Sequence, residues 1–108
     1  MNQLEPRKLD EFLSIIQLYK KDEYIYPGIL IRRLNIPMAQ AYSILNTIKE
    51  LGFVSMNYEV YCYKCSKFTG HVFETISQLP EYIECEECGK ELKPLDDSIV
   101  VYKVTVNE

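Results

Sequence analysis

Four cysteines in two C-x-x-C pairs are the residues of this sequence whose types and spacing point to the most specific chemistry. Cys62 and Cys65 bracket the dipeptide YK, and Cys85 and Cys88 bracket EE. A closed tetrahedral zinc site of the Cys₄ type takes two thiolates from each of two tight turns. We therefore expect one structural Zn²⁺ with all four cysteines as ligands. Iron in the same ligand set is the alternative.

The residues around the pairs fit this prediction. A two-residue spacer lets backbone N–H groups of the turn point at the sulfur atoms, which offsets their concentrated negative charge. Gly89 follows Cys88 and permits the positive φ that such a turn uses, whereas Ser66 holds the equivalent place after Cys65. Because four thiolates leave no open coordination position, the metal is predicted to stabilise the fold and to do no catalysis. A thioredoxin-like redox pair is disfavoured, since no C-x-x-C here opens a helix in a βαβ pattern.

No second set of residues indicates an active site. The sequence has one histidine, His71, which follows Gly70 and is interpreted as a turn residue at the start of a strand. There is no glycine-rich phosphate loop, and the glutamates near the second cysteine pair are best explained as a solvated acidic face. We expect a protein that is not an enzyme.

The elements that must position the cysteines are predicted in two halves, giving an α+β fold. Residues 1–58 show three helical segments: about Arg7 to Lys21, a second that opens at Pro27, and a third that starts at Pro37 and ends before Gly52. Their apolar stripes include Leu9, Phe12, Leu13 and Ile16 in the first helix and Ala41, Ile44, Leu45, Ile48 and Leu51 in the third. A strand is expected at residues 53–56. This order is typical of a winged helix-turn-helix.

The second half, residues 59–108, is predicted to be a zinc ribbon of short antiparallel strands that ends in a C-terminal strand. Strands are expected at residues 58–63, 72–76, 82–84 and 99–106, with turns at residues 79–80 and 94–97. The last strand could end the ribbon sheet, return to the helices or pair across a homodimer, and the sequence does not decide among these.

Charge divides along the same boundary. Residues 1–54 hold seven basic and six acidic residues, a net charge of +1, whereas residues 55–108 hold five lysines and ten acidic residues, a net charge of −5. Nucleic acid is therefore expected to contact the first half, since the second repels phosphate. The first ten residues lack the apolar core of a signal peptide, and no apolar run has the length of a membrane span. The expected localisation is cytoplasmic, with no membrane partner.

The helix-break-helix of residues 29–51, the LGFV exit at residues 51–54 and the two cysteine pairs together resemble the α subunit of the general transcription factor E and its archaeal counterpart. Similar small regulators combine a winged helix with a zinc ribbon. The resemblance implies that the third helix contacts DNA bases and that the second grips the phosphate backbone. The residues this implies as DNA contacts are Arg32, Arg33, Gln40, Ser43, Asn46, Thr47 and Lys49.

Two functions follow as expectations. The first is a zinc-stabilised DNA-binding transcriptional regulator. The second is a protein-interaction adaptor that docks on a polymerase or on a larger nucleic-acid or defence machine without strong DNA binding of its own. The polar face of the third helix favours DNA. The low isoelectric point, about 5.0, and the presence of only Lys49 as a base on that helix favour the adaptor.

Overall fold

The structure, a computed structural model, describes residues 6–105, and within that range it describes Pro6 and Leu9 by their backbone only. The described chain forms two compact units. Unit 1 comprises residues 6–55 together with 102–105, and unit 2 is Met56–Val101. Unit 2 is thus an insertion between two chain segments of unit 1. The mixed α+β class expected from the sequence is confirmed.

Unit 1 contains three helices and a short strand: α1 Pro6–Ile16, β1 Tyr24–Ile25, α2 Pro27–Leu34 and α3 Met38–Glu50. Proline at the first position of α2 and proline immediately before α3 set both starts, as the sequence predicts. Asn35 ends α2 with a left-handed φ of 53°, a conformation that asparagine tolerates better than most residues. The turn of residues 35–37 is the tight break predicted between the two helices.

The first helix ends earlier than predicted, at Ile16 and not near Lys21. The N–H groups of Leu18 and Tyr19 bond to carbonyl groups three residues back, and the Glu23 carboxylate accepts the N–H of Lys20. These local hydrogen bonds give the backbone groups after α1 the partners that a continued helix would otherwise supply.

The core of unit 1 is apolar and is drawn from each of its helices. Its buried residues include Phe12, Ile15, Ile25, Leu30, Leu34, Ala41, Leu45, Val54, Tyr102 and Val104. Two members of the predicted stripes are exposed, since Leu13 is 48% exposed and Leu51 is 66% exposed, and Ile16, Ile44 and Ile48 are half-buried. The side chain of Leu9, the first member of the α1 stripe, lies outside the described part of the structure.

The largest sheet has the strand order β1-β6-β2-β3, where β2 is Val54–Cys62, β3 is Lys67–Phe73 and β6 is Ser98–Val104. The two strands predicted on either side of Asn57 are one continuous strand, β2. Strand β3 pairs with it antiparallel, with Cys62 opposite Lys67 and a register shift between Glu59 and Tyr61.

The open question about the C-terminal strand is answered within the described residues. In β6, Tyr102 pairs with Ile25 and Lys103 pairs with Tyr24, so this strand returns to β1 in unit 1. Val106, the predicted end of the strand, lies outside the described residues.

Unit 2 adds a second hairpin and two short helical turns. Strand β4 (Ile83–Glu84) pairs antiparallel with β5 (Glu91–Leu92), a 3₁₀ helix spans Ile76–Gln78, and α4 spans Pro94–Asp97. The strand predicted at residues 72–76 was placed too far along the chain, because the Gln78 side chain accepts the N–H groups of Glu74 and Thr75 and caps the 3₁₀ helix. Among the described helices, none has the length and apolar character needed to cross a membrane.

Candidate metal centre

The four cysteines meet in one cluster. The sulfur atoms of Cys62, Cys65, Cys85 and Cys88 all lie within 4.8 Å of one another. The Sγ atoms of Cys62 and Cys88 are 3.7 Å apart, and those of Cys65 and Cys85 are 3.8 Å apart. A tetrahedron with metal–sulfur bonds of about 2.3 Å has sulfur–sulfur edges of about 3.8 Å. The cluster therefore has the dimensions to hold one metal ion.

Each C-x-x-C pair lies at the tip of a hairpin. Cys62 is the last residue of β2, and the turn of residues 63–66 leads into β3. Cys85 follows β4, and its turn is closed by two backbone bonds of 2.8 Å, from the N–H of Cys85 to the carbonyl of Lys90 and from the N–H of Gly89 to the carbonyl of Cys85. The two tight turns that a four-sulfur site requires are both present.

The expected positive φ occurs in both turns. Gly89 has a φ of 75°, and Ser66, at the equivalent place in the first turn, has a φ of 57°. A residue with a β-carbon is strained in this region, so Ser66 holds a conformation that glycine adopts more readily.

Backbone N–H groups also stabilise negative charge on the sulfur atoms. The N–H of Cys65 donates to Sγ of Cys62 over 3.4 Å. Hydrogen bonds from the backbone N–H groups of Cys88 and Glu87 lower the pKa of the Cys85 thiol to about 7. The pKa of Cys65 is raised to about 12, mainly by its hydrogen bond to Cys88 and then by burial. Of these two thiols, Cys85 is therefore the stronger acid, and a metal ion bound by the four cysteines would release the thiol protons.

The cluster rests on a very small core. Val60, Cys62, Cys85 and Leu92 are buried together, with Phe73 and Ile83 partly buried against them. Two of the four buried members of this core are cysteines. So few apolar side chains provide little burial, and domains of this kind are usually stabilised by a metal or by disulfides.

An ion pair and a histidine lie near the cysteine pairs in the sequence. The ammonium group of Lys67 lies 3.3 Å from a carboxylate oxygen of Glu87, on the exposed surface. His71 lies within β3, where its backbone N–H donates to Oγ1 of Thr69, and it is not a member of the cysteine cluster.

The residues implied as DNA contacts lie on two helices of unit 1. Arg32 and Arg33 are exposed in the last turn of α2. Lys49 is half-buried near the end of α3, with its ammonium group 3.8 Å from the Glu50 carboxylate, and Gln40 and Ser43 are partly buried on the same helix.

The side chains of Asn46 and Thr47 in α3 form hydrogen bonds within the protein. Oδ1 of Asn46 accepts a hydrogen bond of 2.8 Å from the Tyr102 hydroxyl, and Oγ1 of Thr47 donates to the carbonyl of Ser43 over 3.0 Å. The Asn46–Tyr102 bond joins residues far apart in sequence, and no local pattern signals it.

Aromatic side chains from β2, the first cysteine turn and β3 form a cluster in unit 2. The Tyr61 ring packs edge-on against Tyr63 and Phe68, with centroid distances of 4.8 and 4.9 Å. Tyr63 is 61% exposed and Phe68 is 38% exposed.

Comparison with known proteins gives no match for this chain: not among protein-family models, among curated proteins or among solved structures.

Proposed function

We propose that the protein is a zinc-stabilised DNA-binding transcriptional regulator whose unit 1 is a winged helix. The observation that carries the proposal is the α2–turn–α3 arrangement with Arg32 and Arg33 exposed beside it. This arrangement is consistent with the DNA-binding helix-turn-helix, in which two helices are joined by a short turn and the second enters the major groove.

The strand order supports the winged-helix assignment. In a winged helix, a strand between the first two helices pairs with the returning strand of a hairpin that follows the third helix. Here β1 lies between α1 and α2 and pairs with β6, and β6 neighbours β2 in the sheet. Strands β2 and β6 are then the wing, and the chain between them, residues 63–97, replaces the turn of the wing hairpin.

Charge supports placing DNA on unit 1. Unit 1 (residues 1–55 and 102–108) holds eight basic and seven acidic residues, a net charge of +1, whereas unit 2 holds four lysines and nine acidic residues, a net charge of −5. Phosphate is repelled by unit 2 and is not repelled by unit 1.

Zinc is the proposed metal because four thiolates in tetrahedral array are the ligand set of structural zinc sites. Zinc bound there would hold the two hairpins of unit 2 together. All four protein ligands are used, so the ion has no position for substrate.

The test is a fluorescence anisotropy titration of zinc-loaded protein against random duplex DNA at about 50 and 150 mM salt. We expect binding that weakens at least tenfold between the two salt concentrations, because each neutralised phosphate releases counterions. The double variant Arg32→Ala/Arg33→Ala should lose at least tenfold in affinity at the lower salt. Lys93→Glu is the matched control, since it lowers the net charge by the same amount at an exposed site of unit 2.

The assignment of DNA binding to α2 and α3 would be wrong if the arginine substitutions left the affinity unchanged. It would also be wrong if Lys93→Glu reduced the affinity by the same factor. Absence of binding at the lower salt would leave the adaptor as the better function.

The adaptor has one observation in its favour. Asn46 and Thr47, two of the polar side chains of α3, already form hydrogen bonds within unit 1. The helix therefore has fewer polar groups left to hydrogen-bond with DNA bases. An adaptor contact through apolar surface should change little with salt, so the same titration, repeated with a protein partner, separates the two functions.

A further inference from the structure

Unit 2 has an apolar groove that neither the metal centre nor the proposed DNA contacts use. It lies between the 3₁₀ helix and α4, has a volume of about 350 Å³, and is lined by Ile76, Leu79, Pro80 and Leu95 on its apolar side. Ile76 is 55% exposed and Leu95 is 72% exposed. Large apolar side chains grouped around a concavity on a surface are typical of interaction sites.

Local hydrogen bonds hold both walls of the groove in place. Thr75 and Gln78 cap each other around the 3₁₀ helix, which fixes the position of Ile76. In α4, the N–H groups of Asp96 and Asp97 donate to the carbonyl of Lys93, and the N–H of Lys93 donates to the Asp97 carboxylate. Pro94 is buried while Leu95, the next residue, points outward. The apolar side chains are therefore presented by a fixed backbone, which lowers the ordering cost of binding.

The charges around the groove restrict what it can bind. Its charged lining residues are Glu81, Asp96 and Lys93, and unit 2 as a whole has a net charge of −5. A divalent ion with four thiolates would add about −2. Nucleic acid and acidic peptides are repelled by this field, whereas a cationic partner is attracted. A symmetric contact between the grooves of two copies would bring two acidic surfaces together and is disfavoured for the same reason.

We infer that this groove binds a basic segment of a partner protein, with one or two large apolar side chains inserted between Ile76 and Leu95. Lysine or arginine residues that flank the apolar anchor face Glu81 and Asp96. The inference does not depend on DNA binding by unit 1, because every residue of the groove belongs to unit 2.

The experiment is selection of a displayed library of random dodecapeptides on the zinc-loaded protein, followed by anisotropy titrations of the enriched peptides. We expect these peptides to combine leucine, isoleucine, methionine or phenylalanine with flanking lysine or arginine. Leu95→Ser should weaken their binding at least tenfold, and Glu81→Lys/Asp96→Lys should weaken it by a similar factor.

Leu18→Ser is the matched control, since Leu18 is 70% exposed but lies in unit 1, and it should leave peptide affinity unchanged. Equal metal content and equal circular dichroism of the Leu95 variant would show that the loss is local. Three results would overturn the inference: a selection without binders, enriched peptides that lack basic residues, or peptides that bind the Leu95→Ser variant as well as the unmodified protein.

Two further results would assign the groove to another occupant. Duplex DNA binding that Leu95→Ser abolishes would place nucleic acid in the groove. A dimer in sedimentation that Leu95→Ser dissociates would place a second copy there. Either result contradicts a basic protein partner.

Discussion

At the scale of single residues, the cysteines depend on the backbone turns that carry them. The Cys85 turn is closed by bonds between Cys85, Gly89 and Lys90, and the Cys62 sulfur accepts the N–H of Cys65. Each pair thus supplies its two sulfur atoms in a preset orientation. A metal ion has to bring together only the two hairpins, and this favours tight binding.

Replacement of one ligand should abolish tight metal binding. We expect one zinc ion per chain in the unmodified protein, and a loss of at least a hundredfold in zinc affinity for Cys88→Ser, because three thiolates leave the site open. His71→Ala is the control and should keep the full affinity, since His71 is not in the cluster. Metal analysis and competition with a chromophoric chelator measure both, and equal losses in the two variants would contradict the assignment of ligands.

The positive φ of Gly89 in the second turn predicts that alanine substitutions at Gly89 and at Gly28 change the stability of the protein in opposite directions. Gly89→Ala should lower the free energy of unfolding by about 1 kcal/mol, because alanine is strained in the left-handed region. Nothing lies within 4 Å of a β-carbon placed at Gly89, so the cost is conformational and not steric.

Gly28→Ala is the matched control in α2, where a β-carbon also meets nothing within 4 Å and the backbone is helical. It should raise stability by about 0.5–1 kcal/mol. Denaturant titrations of the zinc-loaded variants measure both changes, and two changes of the same sign would contradict the conformational explanation.

The sequence was most informative about the site at the scale of single residues. The cysteine spacing predicts the cluster, and the residues that follow each pair, Ser66 and Gly89, are predicted to lie in the turns. The Asn46–Tyr102 bond was not foreseen, because it depends on β6 packing against unit 1, which no local spacing encodes.

At the scale of elements, β6 is the strand that completes unit 1. Its Tyr102 is fully buried, pairs with Ile25 in β1, bonds to Asn46 in α3 and lies 6.3 Å from the Tyr42 ring, measured between centroids. One residue thus joins a strand and a helix of the helical unit. Asn46 consequently has a structural role. A DNA-binding measurement on an Asn46 variant has to distinguish the loss of this hydrogen bond from the loss of a DNA contact.

Removal of the Tyr102 hydroxyl should destabilise the protein modestly. Tyr102→Phe should cost about 1 kcal/mol, and a double-mutant cycle with Asn46→Ala should show coupling of about 0.5–1.5 kcal/mol. Tyr63→Phe is the control, because Tyr63 is 61% exposed, and should change stability by less than about 0.5 kcal/mol. Thermal unfolding of the four proteins measures the cycle, and additive effects would contradict the bond.

The bounds of the elements were predictable where proline or glycine sets them and were missed where a side chain does. Pro27 and Pro37 gave the starts of α2 and α3. The end of α1 and the end of β3 were misplaced, because Glu23 and Gln78 bond to backbone N–H groups, and hydrophobic periodicity does not register such caps.

At the scale of the whole molecule, the chain leaves unit 1 after Ser55 and returns to it at Tyr102. Unit 2 is therefore a long insertion between two chain segments of unit 1. A flexible loop of this length costs about 3 kcal/mol to close. A folded unit 2 has already lost most of that entropy, so we expect a metal ion bound by its cysteines to stabilise both units.

Chelation should therefore affect residues far from the cysteines in sequence. After addition of EDTA we expect loss of amide dispersion throughout unit 2, together with faster hydrogen exchange of the Ile25, Leu45 and Tyr102 amides in unit 1. Two-dimensional NMR of the labelled protein measures both. Unchanged exchange in unit 1 after complete metal removal would show that the loop contributes nothing to its stability.

The insertion also orders events during synthesis on the ribosome. All four cysteines precede Tyr102 and Val104, the buried β6 residues that complete unit 1. The four cysteines are thus synthesised before the residues that complete the helical unit. Metal uptake by the growing chain would precede, and assist, the final closure of the fold, and a fragment that stops at Ser55 would lack the strand that its helices need.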